Sequence, residues 1–125
     1  MTVIAYDSET SLSQPGLAAP PLACGSFAFV NPSTGQIESE VLDAKSTLEE
    51  LTRLLREPSV TIVGHNLSYD LAVACAETAR RYGLDACEEM IDLVFHVHKD
   101  GRIRDTDYRE RLIGIATGTF ADDRD

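Results

Sequence analysis

The spacing of hydrophobic and polar positions changes along the chain and marks out successive elements. Val3-Ile4-Ala5-Tyr6 is a short apolar run ended by Asp7, the pattern of a buried strand that starts a domain. Ser11 to Pro21, rich in Ser, Pro, Gly and Ala, reads as a mobile loop next to the Asp7 region. Ser26-Phe27-Ala28-Phe29-Val30 predicts a second strand and Ile37 to Leu42 a third, and the turn residues Asn31-Pro32-Ser33-Thr34-Gly35 between them predict a hairpin. The period then becomes helical. Leu48, Leu51, Leu54 and Leu55 form one apolar stripe, Ser46 and Glu49 have capping-box spacing, and Pro58 ends the helix at or before Glu57. Val60-Thr61-Ile62-Val63, closed by Gly64, fits a central parallel strand.

A second helix is expected from near Ser68 to near Gly83, packing through Leu71, Ala74, Cys75 and Thr78. Asp85 and Glu88 repeat the capping spacing at a third helix, which carries Ile91, Val94, Phe95 and His98 to a stop at Gly101. Arg102-Ile103-Arg104 is a short strand candidate, and Thr106 is expected to cap a last helix with Leu112, Ile113 and Ala116 before Gly118. The acidic tail Ala121 to Asp125 is expected to fray. A leading hairpin followed by alternating strands and helices predicts an α/β domain with a mixed sheet.

Composition narrows the function. The 125 residues suit one domain, and 43% hydrophobic residues argue against a disordered chain. Eleven basic against 21 acidic residues leave a net charge of −10, which argues against a nucleic-acid binder with a broad basic face. A nuclease remains open, because bound cations can neutralise clustered carboxylates. Cys24, Cys75 and Cys87 are widely spaced and form no CxxC pair, so neither a zinc site nor a disulfide framework is indicated. They read as small buried hydrophobes in a reducing compartment. No apolar run approaches the ~20 residues of a membrane span, and the N-terminus lacks the basic region of a signal peptide. The expected location is the cytosol. No GxxxxGK[ST] phosphate loop is present, which sets aside a nucleotide switch.

Two constellations carry candidate chemistry. In Asp7-Ser8-Glu9, residues two apart along a strand share a side, so the two carboxylates repel unless solvated or bridged by a cation. Oxygen ligands of this kind suit magnesium or manganese. Gly64-His65-Asn66-Leu67-Ser68-Tyr69-Asp70 lies between a buried strand and a helix, where sites of open α/β sheets gather. Each has a plain structural reading: acidic residues end strands, Asn66 forms a turn or cap, and Asp70 complements a helix dipole. If the first and fourth strands are neighbours, however, Asp7, Glu9 and Asp70 converge at one edge. Two divalent ions ~3.5–4 Å apart at such an edge would serve phosphodiester hydrolysis.

Ile4-Ala5-Tyr6-Asp7-Ser8-Glu9-Thr10 and Val63-Gly64-His65-Asn66-Leu67-Ser68-Tyr69-Asp70 resemble the first two motifs of the DEDD 3′–5′ exonucleases. Arg102-Ile103-Arg104-Asp105-Thr106 followed by Arg111-Leu112-Ile113-Gly114-Ile115-Ala116 resembles the stretch after the second motif in family A DNA polymerases, the phage-encoded branch in particular. The resemblance runs from Thr2 to about Thr119. It implies a ribonuclease-H-like fold and proofreading removal of 3′ nucleotides from single-stranded DNA with two Mg²⁺ or Mn²⁺ ions. It also implies a polymerase domain as partner and, for a phage product, the bacterial host cytoplasm as location. By position, Asp7 and Glu9 would be the first-motif metal ligands and Asp70 the second-motif ligand. Asn66 would lie near the scissile end, and Thr10 would contact the 3′ nucleotide through its backbone.

The sequence departs from the family at the third motif, a Tyr or His followed four or five positions on by Asp, which orients the attacking water and supplies a fourth carboxylate. Tyr69, Tyr82 and Tyr108 have no Asp at that spacing. His65 reaches only Asp70 of motif two, and His96 with Asp100 reads as a solvated helix end. Asp105 is the spare candidate for a fourth carboxylate, with helix capping as its structural alternative. The expectation is therefore an incomplete exonuclease-like domain over residues 1–125, lacking its C-terminal side and weakly active or inactive by itself. The alternative is a non-catalytic module of the same fold that binds a nucleic-acid end or a partner protein.

Overall fold

The structure, a computed structural model, describes residues 2–12 and 19–119. Its strands are β1 (Thr2–Thr10), β2 (Leu22–Val30), β3 (Ile37–Asp43), β4 (Val60–Gly64) and β5 (Ile103–Asp105). They form one sheet in the order β3-β2-β1-β4-β5. The helices are α1 (Ala44–Arg56), α2 (Leu67–Tyr82), α3 (Leu84–Lys99) and α4 (Thr106–Thr117). The leading hairpin strands are antiparallel, whereas β1, β4 and β5 run parallel to one another. The expected α/β architecture with a mixed sheet is therefore present, and β4 is the parallel strand between β1 and β5. Much of the expected loop from Ser11 to Pro21 and the acidic tail lie outside the described residues.

Alternation on the strands assigns the two faces. Ile4, Tyr6, Phe27 and Ile62 point to one side and are buried against α1 and α2, on which α3 packs. The leucine stripe of α1 fills this core, with Leu51 and Leu55 fully enclosed, and α2 adds Leu67, Leu71, Val73 and Ala74. Tyr6 stacks on Phe27 across the β1–β2 pair, ring centroids 5.0 Å apart. On the other side Val3, Val30, Ile37 and Val41 are exposed.

Several boundaries differ from the sequence pattern for identifiable reasons. β1 continues through Asp7 and Glu9 because β2 pairs with it as far as Thr10↔Leu22. The cap of α1 is Asp43, which accepts from the Ser46 amide at 2.8 Å, so the Ser46–Glu49 pair lies inside the helix. That hydrogen bond from the Ser46 amide also lowers the Asp43 carboxyl pKa. α3 starts straight after Gly83, whose φ of 95° is open to glycine, with no side-chain cap; Asp85 sits in its first turn. The inward face of α3 is Met90 and Val97, flanked by the partly buried Leu93 and Val94, while Ile91 and Phe95 are exposed. Two apolar stripes overlap at Val94, and packing selects the one that the sequence pattern did not favour. α4 is capped by Asp105, and Thr106 is its first residue. None of its side chains is buried, and the expected core residues Leu112 and Ile113 are exposed.

Two buried ions brace this frame. Arg102 donates to the carbonyls of Leu55 (2.9 Å), Glu57 (2.9 Å) and Val60 (3.0 Å), closing the end of α1 onto the start of β4. The Leu55 carbonyl lies in the last turn of α1, where carbonyls lack intrahelical partners, and the Glu57 carbonyl also accepts from the Val60 amide at 3.1 Å. Glu77 of α2 accepts from the Leu22 amide at 3.0 Å and from Arg80 (2.9 Å) and Arg81 (2.8 Å), tying the start of β2 to α2.

Candidate active site

The parallel strands β1, β4 and β5 end at one edge of the sheet, but not together. β4 pairs with β1 only from Thr2↔Val60 to Ala5↔Val63, whereas β1 continues beside β2 to Thr10. Past Tyr6, β1 thus has a strand on one side only. The space left by β4 is taken by the turn into α2. Gly64 makes this possible, because a Cβ there would come within 3.0 Å of the Tyr6 carbonyl and 2.8 Å of Leu67 Cδ1.

Asp70, in the first turn of α2, fills the gap. Its residue is 4% exposed, and its Oδ1 accepts from the Ser8 amide at 3.3 Å and from the Ser8 hydroxyl. The Ser8 amide, which has no strand beside it there, is satisfied by this carboxylate. Burial is the chief force on Asp70 and raises its pKa; the Ser8 hydroxyl opposes the rise, the charge of Asp7 adds to it, the Ser8 amide opposes it and Asp105 adds to it, with a net increase. Beneath lies Tyr6, 2% exposed, whose hydroxyl neighbours Ser8 without making a hydrogen bond. Burial raises the Tyr6 pKa, the charges of Asp70 and Asp7 add to the rise, and the adjacent Ser8 side chain opposes it, with a net increase.

Asp7 and Glu9 alternate to the opposite, open face of β1 and are exposed there, Asp7 opposite Ser26 and Glu9 opposite Cys24. The structure thus places Asp7 close enough to Asp70 for their charges to interact, with Glu9 one alternation further along. Among the described residues no three His, Cys, Asp or Glu side chains form a group that could hold a metal ion as they stand. Thr10 lies at the end of β1, just past a register shift between Glu9 and Thr10.

Asn66 occupies the N-cap position of α2 in the left-handed region (φ 56°, ψ 48°), which Asn tolerates better than most residues, and its side chain makes no capping bond. Asp105 does that work. Its oxygens accept from the amides of Asn66 (3.0 Å) and Leu67 (2.9 Å) at the start of α2 and from Asp107 (2.9 Å) at the start of α4. One carboxylate at the end of β5 thus holds the N-termini of two helices, and the amide of Asn66 is fixed while its side chain is not engaged as a cap. His65 reaches across to Thr106, Nδ1 to Oγ1 3.0 Å. His96 and Asp100 pair at 3.2 Å where α3 leads into β5, the end of the sheet away from Asp70.

Ser8 is the residue that sequence reasoning passed over. The available signal was alternation: between outward Asp7 and Glu9, Ser8 must point toward the helices. Recognising its partner required knowing where β4 stops.

Residues 1–118 match the family of 3′–5′ exonuclease domains found in family A DNA polymerases. The chain belongs to this exonuclease family. The mixed five-stranded sheet with its four helices is consistent with the ribonuclease-H-like fold expected for an exonuclease domain. No curated protein and no solved structure matches the chain. No helix among the described residues of the exonuclease domain is long and apolar enough to cross a membrane.

Proposed function

We propose that the chain is the metal-dependent core of a proofreading 3′–5′ exonuclease, removing terminal nucleotides from a single-stranded DNA end in the setting of a family A polymerase. The observation that supports this best is the buried Asp70 carboxylate, held by Ser8 at the strand edge and within electrostatic reach of Asp7. The oxygen donors fit a hard divalent cation, whose charge would offset the burial, and the lesser repulsion from Asp7 and Asp105, that raise the Asp70 pKa. A preassembled group of three ligands is not required, because Mg²⁺ is often held by one or two carboxylates together with substrate phosphates and water.

Asp7 and Asp70 would hold the ion, with Glu9 joining from the same face as Asp7. When bound, Mg²⁺ or Mn²⁺, two ions in a complete site, would supply a nucleophile from water and neutralise charge on the phosphate. Asn66 would meet the terminal nucleotide from the β4–α2 turn and Thr10 would meet it through its backbone. Asp105 is committed to backbone amides, so its share is to fix that turn and add negative charge rather than to move. Among the described residues no Tyr or His with an Asp four or five positions on supplies the third motif at this site, and the His65–Asp107 pair (3.7 Å) lacks that spacing, so turnover would be weak, since losing one member of a cooperating set costs orders of magnitude.

A second reading, a non-catalytic module bound to a nucleic-acid end or a partner protein, is favoured by the exposed apolar residues of α4 and the open sheet face. The test is degradation of a 5′-labelled single-stranded DNA with Mn²⁺ or Mg²⁺, beside EDTA and Asp7→Ala. A metal-dependent ladder shortening from the 3′ end and lost in Asp7→Ala supports the exonuclease. No ladder, with Mn²⁺ still bound, moves the reading to the module. A ladder that survives Asp7→Ala overturns the place of Asp7.

A further inference from the structure

The residue between the two first-motif acids has a job that its position in the sequence does not announce. Ser8 points toward the helices, away from Asp7 and Glu9, and both its amide and its hydroxyl donate to Asp70. Both bonds fall on the same oxygen, Oδ1. Sixty-two positions separate the partners in the chain, so the contact joins the first motif directly to the second.

We propose that Ser8 is a positioning residue, which fixes the Asp70 carboxylate through Oδ1 and so presents Oδ2 to a divalent cation shared with Asp7. This rests on the metal-dependent reading above and deepens it. The geometry gives the reason. β4 ends too early to pair with Ser8, so β1 has an amide to donate at this point, and the first turn of α2 delivers Asp70 to it. One donor alone would leave the carboxylate free to pivot about the shared bond. Two donors from one rigid strand residue define its plane and exclude rotamers that turn it into solvent. Below, the Tyr6 ring is held by stacking on Phe27, so Ser8 and Asp70 are backed by a packed wall. Outer-shell partners that orient a ligand in this way change metal affinity by about 10–100-fold when removed.

The test is Mn²⁺ binding by the full chain, read by calorimetry and by the loss of the free-ion electron paramagnetic resonance signal. It compares wild type, Ser8→Ala, Ser8→Thr and Asp70→Asn, with circular dichroism in EDTA confirming that each is folded. The expected result is at least about tenfold weaker Mn²⁺ binding in Ser8→Ala, recovery in Ser8→Thr, which keeps the hydroxyl, and the weakest binding in Asp70→Asn. If Ser8→Ala does not fold, Ser8→Cys takes its place, with the weak thiol donor expected to give an intermediate affinity. Folded Ser8→Ala or Ser8→Cys that binds Mn²⁺ as wild type does overturns the positioning role and leaves the metal reading standing. Wild type that takes up no Mn²⁺ overturns the metal reading, and this inference with it.

Discussion

Helix α2 carries two buried carboxylates two turns apart, and the fold treats them in opposite ways. Burial raises the Glu77 pKa, but the Leu22 amide, Arg80 and Arg81 together outweigh it and hold the carboxyl below its ordinary range. Asp70 is enclosed to a similar degree but has only Ser8 as donor, faces Asp7 and Asp105, and is held above its ordinary range. Glu77 is a settled ion that joins α2 to β2. Asp70 is an unsettled one at the sheet edge where β1 outruns β4. A fold keeps a buried charge facing like charges at a cost in stability, and sites are where such costs are retained. The contrast separates the scaffold from the candidate site within one helix.

The largest expected effect falls on the scaffold side. Glu77→Ala leaves the Leu22 amide without its acceptor and frees two half-exposed arginines that water can serve. It should cost about 1–3 kcal/mol of unfolding free energy, measurable by urea denaturation. A loss within experimental error would mean that Glu77 is no more settled than Asp70.

The pH dependence should divide the two residues by sign. Glu77 has a depressed pKa, so its contribution is present above its unfolded value and is lost as pH falls through the folded one. Asp70 has a raised pKa, so the stability associated with its protonated form is present below its unfolded value and is lost as pH rises through the folded one. In urea titrations from acid to neutral pH, the gap between wild type and Glu77→Gln should widen in favour of wild type. The gap between wild type and Asp70→Asn should widen in favour of the variant. Parallel curves would remove the distinction.

Much of this fold was legible. Apolar runs located β4 and the inner strands, the leucine stripe located the buried face of α1, and the DxE and GHNxxxD strings located the edge where the acids sit. Local letters failed where a long-range contact decided the outcome. Nothing around Glu77 or Arg102 signals burial, because their partners lie on β2 and at the end of α1. The exposed Ile91 and Phe95 of α3 show that two overlapping stripes cannot be ranked without the neighbouring helices. The work of Asp105 was half visible as a cap of α4; that it also caps α2 depends on β5 ending beside Gly64. Ser8 was hidden for the same reason, since its role follows from the unequal lengths of β1 and β4.

The most direct test of the central claim, that Asp70 is held for a cation, is the thermal stability of wild type and Asp70→Asn with and without Mn²⁺. In EDTA at neutral pH, Asp70→Asn should be the more stable, by about 1 kcal/mol or less after solvent screening. With Mn²⁺ in excess the order should reverse, because only wild type gains from binding to the folded state. A less stable Asp70→Asn in EDTA, together with a wild type that Mn²⁺ does not stabilise, would make Asp70 a structural acid and contradict the account.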